Sequence, residues 1–258
     1  MPLQRQKVRF PTYRKPPQQG PSAVLVTGAS GGIGRAISLA FATQRWYVGV
    51  HYYQNKAAAE ATRQAVVEAG GTGDVYQADI RHRHEVQQMV DVFCRTITTP
   101  TVFVCNAGVG ASRLVVRQPE EEWALVMATN LTGTFHCLCT MAEPLITQRE
   151  GSIIVIGSFA GVHGSPGQGA YATSKAGLIG LVKTAAREWG PYNVRVNLLL
   201  PGWQNTGLAD EAIPGPDGFA DHALGRPPAL PEVAKSVVHL AGLRDVSGQI
   251  WNCDSRNL

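Results

Sequence analysis

The stretch AVLVTGASGGIGRAISLAF, residues 23–41, contains the signals that decide the fold. Four apolar residues lead into a glycine-rich turn, TGASGGIG at residues 27–34, and apolar side chains at helical spacing follow. This order predicts a buried strand, a tight turn and a helix. Within the turn, Gly28 permits the bend, Gly32 lets the backbone approach a ligand, and Gly34 lets the helix pack closely on the strand.

The same alternation of strand and helix continues along the chain. Helical spacing extends over residues 119–148 and 170–189, and no linker or repeat interrupts the pattern. Alternation of this kind predicts an α/β fold, a Rossmann-type doubly wound parallel sheet in a single domain over residues 21–258. The further strand-like runs are WYVGVHYY, GDVYQADI, TVFVCNAG, GSIIVIGS and NVRVNLLL.

The net charge of +4 comes from the N-terminal quarter of the chain. Eight of the 23 basic residues precede Glu60, the first acidic residue, so 15 basic and 19 acidic residues follow. Residues 1–20 are polar, basic and proline-containing, and they predict a poorly ordered tail. The tail is interpreted as a solubilising extension, and attraction to nucleic acid or a membrane is the alternative.

The five cysteines are scattered and odd in number, without the apolar segment of a secretory signal. This usage is typical of a reducing compartment and predicts a cytoplasmic protein. HCLC at residues 136–139 suggests a metal site, but neighbours at i, i+1 and i+3 of one helix cannot converge on one ion. Buried side chains are the preferred interpretation, with no metal, no membrane span and no nucleic-acid site expected.

The glycine-rich turn also predicts a cofactor site. A helix that starts directly after such a turn presents free N–H groups to phosphates, as in dinucleotide-binding proteins. An acidic residue at the end of the second strand would bind the ribose 2′-hydroxyl of NADH, yet Tyr52 stands there, with Arg35, Asn55 and Lys56 nearby. The sequence favours NADPH over NADH, and simple packing of Tyr52 is the alternative. The residues of the turn assigned to the cofactor are Gly28, Ser30, Gly32, Ile33 and Gly34.

The segment YATSK at residues 171–175 places a tyrosine and a lysine four residues apart. On a helix they share one face, so the ammonium group of Lys175 is expected to lower the pKa of the Tyr171 phenol. Tyr171 then becomes a proton donor or acceptor near neutral pH. The alternative is a surface helix with a solvated lysine.

Several further motifs follow in a fixed order. They are CNAG at 105–108, NLTG at 130–133, Ser158, and Pro201 to Thr206. With the glycine-rich turn and YATSK, they resemble the short-chain dehydrogenase/reductase family over residues 22–254. GSIIVIGS, YATSKAGLIGLVKTAARE and SGQIWNCD are most similar to the 3-oxoacyl-ACP reductases.

The resemblance implies roles for four residues. Tyr171 would be the general acid, and Lys175 would lower its pKa and hold the nicotinamide ribose. Ser158 would bind the substrate carbonyl oxygen, and Asn130 would anchor a water that resupplies the proton. A strand-end hydroxyl for Ser158 and a helix cap for Asn130 are the alternatives.

The resemblance also implies further contacts. Cofactor contacts are implied for Asp79, Ile80, Asn106, Ala107, Gly108, Tyr171, Lys175, Pro201, Gly202 and Thr206. Arg149 and Arg187 are assigned to an acidic acyl carrier protein, with surface arginines as the alternative. Residues 203–227 are expected to form a mobile substrate lid.

The expected function is NADPH-dependent reduction of a 3-oxoacyl thioester, with a homotetramer, or a dimer, as the assembly. The alternatives are reduction or oxidation of a free ketone, alcohol or polyketide intermediate, a non-catalytic cofactor-binding protein, and a nucleic-acid-binding tail. The chain departs from the family at Cys105, where asparagine is usual, and at its end, CDSRNL, where the pattern DGG is usual.

Overall fold

The computed structural model describes residues 22–206 and 219–256 of the 258-residue chain. The predicted tail and residues 207–218 of the predicted lid lie outside this part of the chain. The described residues form a single α/β unit, which confirms the predicted fold class.

Seven parallel strands form one sheet in the order β3-β2-β1-β4-β5-β6-β7. The order reverses between β1 and β4, and parallel strands open a crevice at such a point. The strands are β1 (Ala23–Val26), β2 (Tyr47–Tyr52), β3 (Thr72–Gln77), β4 (Val102–Cys105), β5 (Gly151–Ile156), β6 (Val194–Leu200) and β7 (Ile250–Asn252).

Helices cover both faces of the sheet. One apolar cluster lies between the sheet and α3, α5 and α7, and a second lies between the sheet and α1, α2 and α8. Because β1, β4 and β5 are buried on both faces, their sequences are mainly apolar. The equally buried β6 also contains Arg195 and Asn197. The helices are α1 (Gly32–Ala42), α2 (Lys56–Glu68), α3 (Arg83–Thr96), α4 (Glu120–Val126), α5 (Thr134–Gln148), α6 (Ala160–His163), α7 (Gly169–Trp189) and α8 (Leu230–Gly242).

The helix predicted over residues 119–148 is interrupted. A π-helical segment, Met127–Gly133, separates α4 from α5. Asn130 lies in this segment and is fully buried. The wider turn therefore occurs where a residue of the predicted site enters the core.

The turn after β1 is packed so closely that only glycine fits at Gly34. A Cβ atom there would lie 2.6 Å from Asn106 Nδ2 and 2.9 Å from Ala29 Cα, and it would also overlap the carbonyl oxygen of Gly28. Gly28 itself has a φ of 63°, a conformation that glycine adopts without strain. The predicted roles of these two glycines agree with the geometry.

We expect Gly34→Ala to destabilise the protein by about 3 kcal/mol, because backbone atoms must move to admit the methyl group. Gly242→Ala is the matched control: Gly242 is also helical, and beyond its chain neighbours and the nearby backbone of its own helix no atom lies within 4 Å of its Cβ position. The control is expected to leave stability unchanged or raise it by about 0.5 kcal/mol. Chemical denaturation of the two variants measures both effects, and equal stability would contradict the packing role of Gly34.

Candidate active site

A cleft of about 900 Å³ opens at the carboxyl ends of the strands. Its volume is in the range of small-molecule sites, and its position matches the expected crevice. The cleft contains the predicted residues Ile33, Ser158, Tyr171, Pro201, Gly202 and Thr206. Trp203, Gln204 and His222, from the predicted lid segment, also line the cleft. Further lining residues that sequence reasoning did not assign include Phe159, His163 and Arg256.

Ser158 and Tyr171 form a pair in this cleft. Ser158 lies two residues beyond the end of β5, and Tyr171 lies in the first turn of α7. The Ser158 side chain lies close enough to the Tyr171 phenol to lower its pKa, and the Ser158 hydroxyl accepts a hydrogen bond from the amide of Ala160 at 3.2 Å. Two hydroxyl groups therefore converge where a carbonyl oxygen of a ligand could accept from both.

Lys175 lies one helical turn behind this pair and is buried. Its Nζ is 5.7 Å from the centroid of the Tyr171 ring and donates a hydrogen bond to the carbonyl oxygen of Ile156 at 2.8 Å. Burial lowers the pKa of this ammonium group to about 8. The shared face of Tyr171 and Lys175 is confirmed.

The expected net lowering of the Tyr171 pKa is wrong for the chain by itself. Burial raises the pKa of Tyr171, and the neighbouring Ser158 side chain opposes that rise only in part. Desolvation dominates because the phenolate would lose its hydration, whereas the Lys175 ammonium group is directed to Ile156. Tyr171 is therefore held in its protonated form, the form that a proton donor requires.

Asn130 fixes the loop after β4. Its Nδ2 donates to the carbonyl oxygen of Val109 at 2.9 Å and to the Ser174 hydroxyl at 3.1 Å, and its Oδ1 accepts from the amide of Val109 at 2.8 Å. Its own carbonyl oxygen accepts from the Thr134 hydroxyl at 2.7 Å. Gly108 passes between Asn130 and Lys175, since a Cβ there would lie 3.0 Å from Asn130 Oδ1 and 3.8 Å from Lys175 Nζ.

The N-terminus of α1 suits a diphosphate. Gly31 precedes the helix without a side-chain cap, and the first turn contains no acidic residue, so its N–H groups remain for an anion. Thr206, from the loop after β6, faces this turn, because a Cβ on Gly32 would lie 3.1 Å from Thr206 Cβ. The residues present therefore fit a nicotinamide dinucleotide, which would supply hydride chemistry at this cleft when bound.

The side chain of Asn106 has a structural task that sequence reasoning missed. Its Nδ2 donates to the carbonyl oxygens of Thr27 and Gly28 at 3.0 and 3.1 Å. The Thr27 hydroxyl in turn accepts from the amides of Asn106 and Ala107 at 2.9 and 3.0 Å. Asn106 and Ala107 thus hold the end of β4 against the glycine-rich turn.

His51 holds the same turn from β2. Its Nδ1 accepts from the amide of Gly28 at 2.9 Å, and its Nε2 lies 3.0 Å from the carbonyl oxygen of Ala78. Nε2 therefore carries the proton, and burial lowers the pKa of the ring to about 4. Sequence reasoning did not identify His51, because both of its partners are distant in the chain.

A basic group that sequence reasoning also missed lies at the ends of β2 and β3. Asp79 binds Arg81 through Nε at 2.9 Å, and this ion pair lowers the pKa of the carboxyl group. The Arg81 guanidinium lies 5.5 Å from the centroid of the exposed Tyr53 ring and donates to its hydroxyl at 3.2 Å. Tyr52 is buried in an apolar cluster, and Ile80 packs on the other face of the sheet.

Arg149 and Arg187 lie away from the cleft. Arg149 caps the C-terminus of α5 and donates to the carbonyl oxygen of Pro191 at 3.2 Å, with its guanidinium near the Tyr192 ring. Arg187 is 16 residues after Tyr171 in α7, which is about 24 Å along the helix. Their assignment to a carrier protein stays a prediction.

The remaining predicted features concern cysteines and membranes. Over residues 22–206 and 219–256, no group of three or more metal-ligating side chains comes together, and the five cysteines are free thiols. In the same part of the chain, no helix combines the length and the apolar character needed to span a membrane. Cys137 is buried beside Cys105, as expected for packing residues.

The fold and this cleft define a nicotinamide-dependent oxidoreductase. The chain belongs to the short-chain dehydrogenase family, whose model matches residues 22–216.

Individual relatives agree with this assignment. The chain is 36% identical over 233 residues to the 3-oxoacyl-[acyl-carrier-protein] reductase of Synechocystis sp., covering 89% of this chain and 94% of the relative. It is 39% identical over 181 residues to the reductase of the same name from Staphylococcus epidermidis, covering 70% and 74%. The crystal structure of an NAD+-bound xylitol dehydrogenase matches with a TM-score of 0.84 at 30% identity, covering 91% of this chain and 98% of that chain.

We expect Lys175→Met to stabilise the protein at neutral pH while removing a residue of the site. The folded chain releases the Lys175 proton near pH 8 and the unfolded chain near 10.5, so wild-type stability rises with pH across that interval. Removing the buried charge should add about 3 kcal/mol at pH 7, and losing the hydrogen bond to Ile156 should cost about 1 kcal/mol. The gain should shrink as the pH rises from 8 to 10.5.

Denaturation of the variant and the wild type between pH 7 and 10 measures this difference. Lys183→Met is the control, because Lys183 lies in the same helix and is exposed. A stability difference that stays constant over this pH range would contradict a lowered pKa of Lys175.

Proposed function

We propose that the protein reduces a 3-oxoacyl thioester to the 3-hydroxyacyl thioester with NADPH. The observation that carries this proposal is the hydroxyl pair of Ser158 and Tyr171 with buried Lys175 behind it. The names of the Synechocystis and Staphylococcus relatives support the thioester as substrate.

In the proposed reaction, the substrate carbonyl oxygen accepts hydrogen bonds from Ser158 and Tyr171. Negative charge develops on this oxygen as the carbonyl carbon is reduced, and both hydroxyl groups stabilise it. Tyr171 then gives its proton to the oxygen, which completes the alcohol. The raised pKa of Tyr171 suits this direction, because the acid stays protonated before the reaction.

Lys175 and Asn130 support the acid. The Lys175 ammonium group favours the Tyr171 phenolate left after proton transfer, and Asn130 keeps the loop beside Lys175 in place through Val109 and Ser174. We propose that a proton from solvent reaches Tyr171 through this region.

The preference for NADPH is part of the proposal. The segment from Tyr52 to Lys56 contains no carboxylate to bind a ribose 2′-hydroxyl, and Arg81 places a guanidinium group beside Tyr53. A 2′-phosphate is bound well by such a group. Asn55 contributes less, because its side chain accepts the amide of Ala58 as the cap of α2.

A second candidate is oxidation or reduction of a free alcohol or ketone. The similarity to the xylitol dehydrogenase structure favours it, and the same hydroxyl pair would serve either substrate. For the first candidate we also propose an acyl carrier protein as the partner that presents the substrate. The proposed assembly is a homotetramer or a dimer, and the proposed location is the cytoplasm.

The direct test is oxidation of NADPH, followed by absorbance, when the protein meets acetoacetyl-CoA. Wild-type protein should oxidise NADPH, and Tyr171→Phe should lose at least about 100-fold in kcat, because the proposed proton donor is removed. Cofactor binding of this variant, measured by fluorescence, should remain nearly unchanged. If wild-type protein that binds cofactor reduces only free ketones, the second candidate replaces the first.

Cofactor choice is tested by Arg81→Gln. The variant should lower the ratio of kcat/KM with NADPH to kcat/KM with NADH by about 10-fold, because a charge-assisted bond to the 2′-phosphate is lost. Arg83→Gln, two residues away and exposed, is the control and should leave the ratio unchanged. An unchanged ratio in Arg81→Gln would exclude Arg81 as the phosphate ligand.

A further inference from the structure

The segment that follows β7 turns back to the cleft. After β7 ends at Asn252, residues 253–256 continue past the carboxyl edge of the sheet, and Arg256 lines the same cleft as Ser158 and Tyr171. The sequence after β7, CDSRNL, differs from the DGG pattern that the family resemblance leads one to expect. The departure therefore adds a charged side chain to the substrate cleft.

Arg256 is held in one orientation. Its Nε and Nη2 donate to Asp254 Oδ2 at 3.0 and 2.6 Å, and its amide donates to Asp254 Oδ1 at 2.9 Å. The Asn252 side chain donates to the Arg256 carbonyl oxygen at 2.7 Å. Because the Asp254 side chain is fully buried, the ion pair is protected from solvent screening.

The guanidinium group also lies on an aromatic ring next to the reacting groups. Arg256 Cζ is 3.8 Å from the centroid of the Phe159 ring, and Phe159 directly follows Ser158. His163 stacks on the same ring at 4.4 Å. The charge of Arg256 is thus placed beside the hydroxyl pair rather than at the rim of the fold.

Part of the hydrogen-bonding capacity of Arg256 is unused within the protein. A guanidinium group has five N–H donors, and Asp254 takes two of them. Over the described residues, Nη1 has no hydrogen-bond partner, and the side chain is 17% exposed. Nearby, the imidazole of His222 is also buried, and its Nε2 has no hydrogen-bond partner in that part of the chain.

We propose that Arg256 is a specificity-determining residue that binds an anionic oxygen group, phosphate or carboxylate, of the substrate. The fork of N–H groups matches both anions, and Asp254 fixes the fork before the ligand arrives. The inference deepens the proposed function and rests on it for the identity of the carbonyl group. The substrate is therefore expected to carry a negative charge that reaches Arg256 when it is bound in the cleft.

Two substrate pairs test the charge and its source. Acetoacetyl-4′-phosphopantetheine and acetoacetyl-pantetheine differ only in a phosphate, whereas acetoacetate and methyl acetoacetate differ only in a free carboxylate. For the charged member of one pair, Arg256→Gln should raise KM by at least about 10-fold with kcat nearly unchanged. The neutral member should be unaffected, and Arg256→Lys should restore part of the loss. A rise in KM confined to the first pair identifies the anion as a phosphate, and one confined to the second pair identifies it as a carboxylate.

Two controls separate recognition from folding. The double variant Asp254→Asn/Arg256→Gln leaves no unpaired buried carboxylate. It should show the same rise in KM for the charged substrate as Arg256→Gln alone. Arg244→Gln removes an exposed arginine outside the cleft and should leave KM unchanged for both the charged and the neutral substrate. An equal loss for charged and neutral substrates in both Arg256 variants would overturn the proposal, since Arg256 would then act only on structure.

Calorimetry separates this inference from the proposed reaction. Wild-type protein with cofactor should bind 4′-phosphopantetheine or acetoacetate more tightly than pantetheine or methyl acetoacetate, and Arg256→Gln should abolish the difference. Such binding without reduction of any 3-oxoacyl thioester would reject the proposed function while supporting the anion site. Equal binding of charged and neutral probes by the wild type would overturn the anion site itself.

Discussion

The close approach of the glycine-rich turn to the ends of β2 and β4 is the constraint on which the site depends. Gly34 leaves no room for a side chain, and Asn106 and His51 tie the turn to its neighbours with hydrogen bonds to backbone atoms. Because these groups are buried, each lost partner would leave a desolvated polar atom. The α1 N-terminus is therefore preorganised for an anion by residues that need not touch it.

Lys175, behind Tyr171, places an unfavourable charge in the core. Lys175 is buried, and its lowered pKa measures the cost of keeping the ammonium group there. The Ile156 carbonyl oxygen offsets only part of that cost. The raised pKa of Tyr171 shows that desolvation, not the lysine, dominates at the phenol in the chain itself. The same burial that weakens the fold strengthens electrostatic contacts with a bound carbonyl group.

Local patterns made the sheet, the turn and the shared face of Tyr171 and Lys175 predictable, since each depends on spacing within one element. Features that depend on distant partners were not predictable in this way. Asn106 bonds to Thr27 across 79 residues and His51 bonds to Gly28 across 23. The π-helical segment around Asn130 was missed because its apolar spacing continues that of the flanking helices, and the pKa of Tyr171 because burial is a property of the whole fold.

In the proposal for Arg256, the information about the substrate lies in the segment that follows β7. The glycine-rich turn, Ser158, Tyr171 and Lys175 can serve any carbonyl compound, so these residues alone do not discriminate among substrates. Arg256 can discriminate among substrates, because Asp254 fixes its positive charge against the Phe159 ring in the same cleft. A neutral substrate would leave this desolvated charge without an added partner, whereas an anionic one would complete its hydrogen bonds. Discrimination by charge follows from that difference in free energy.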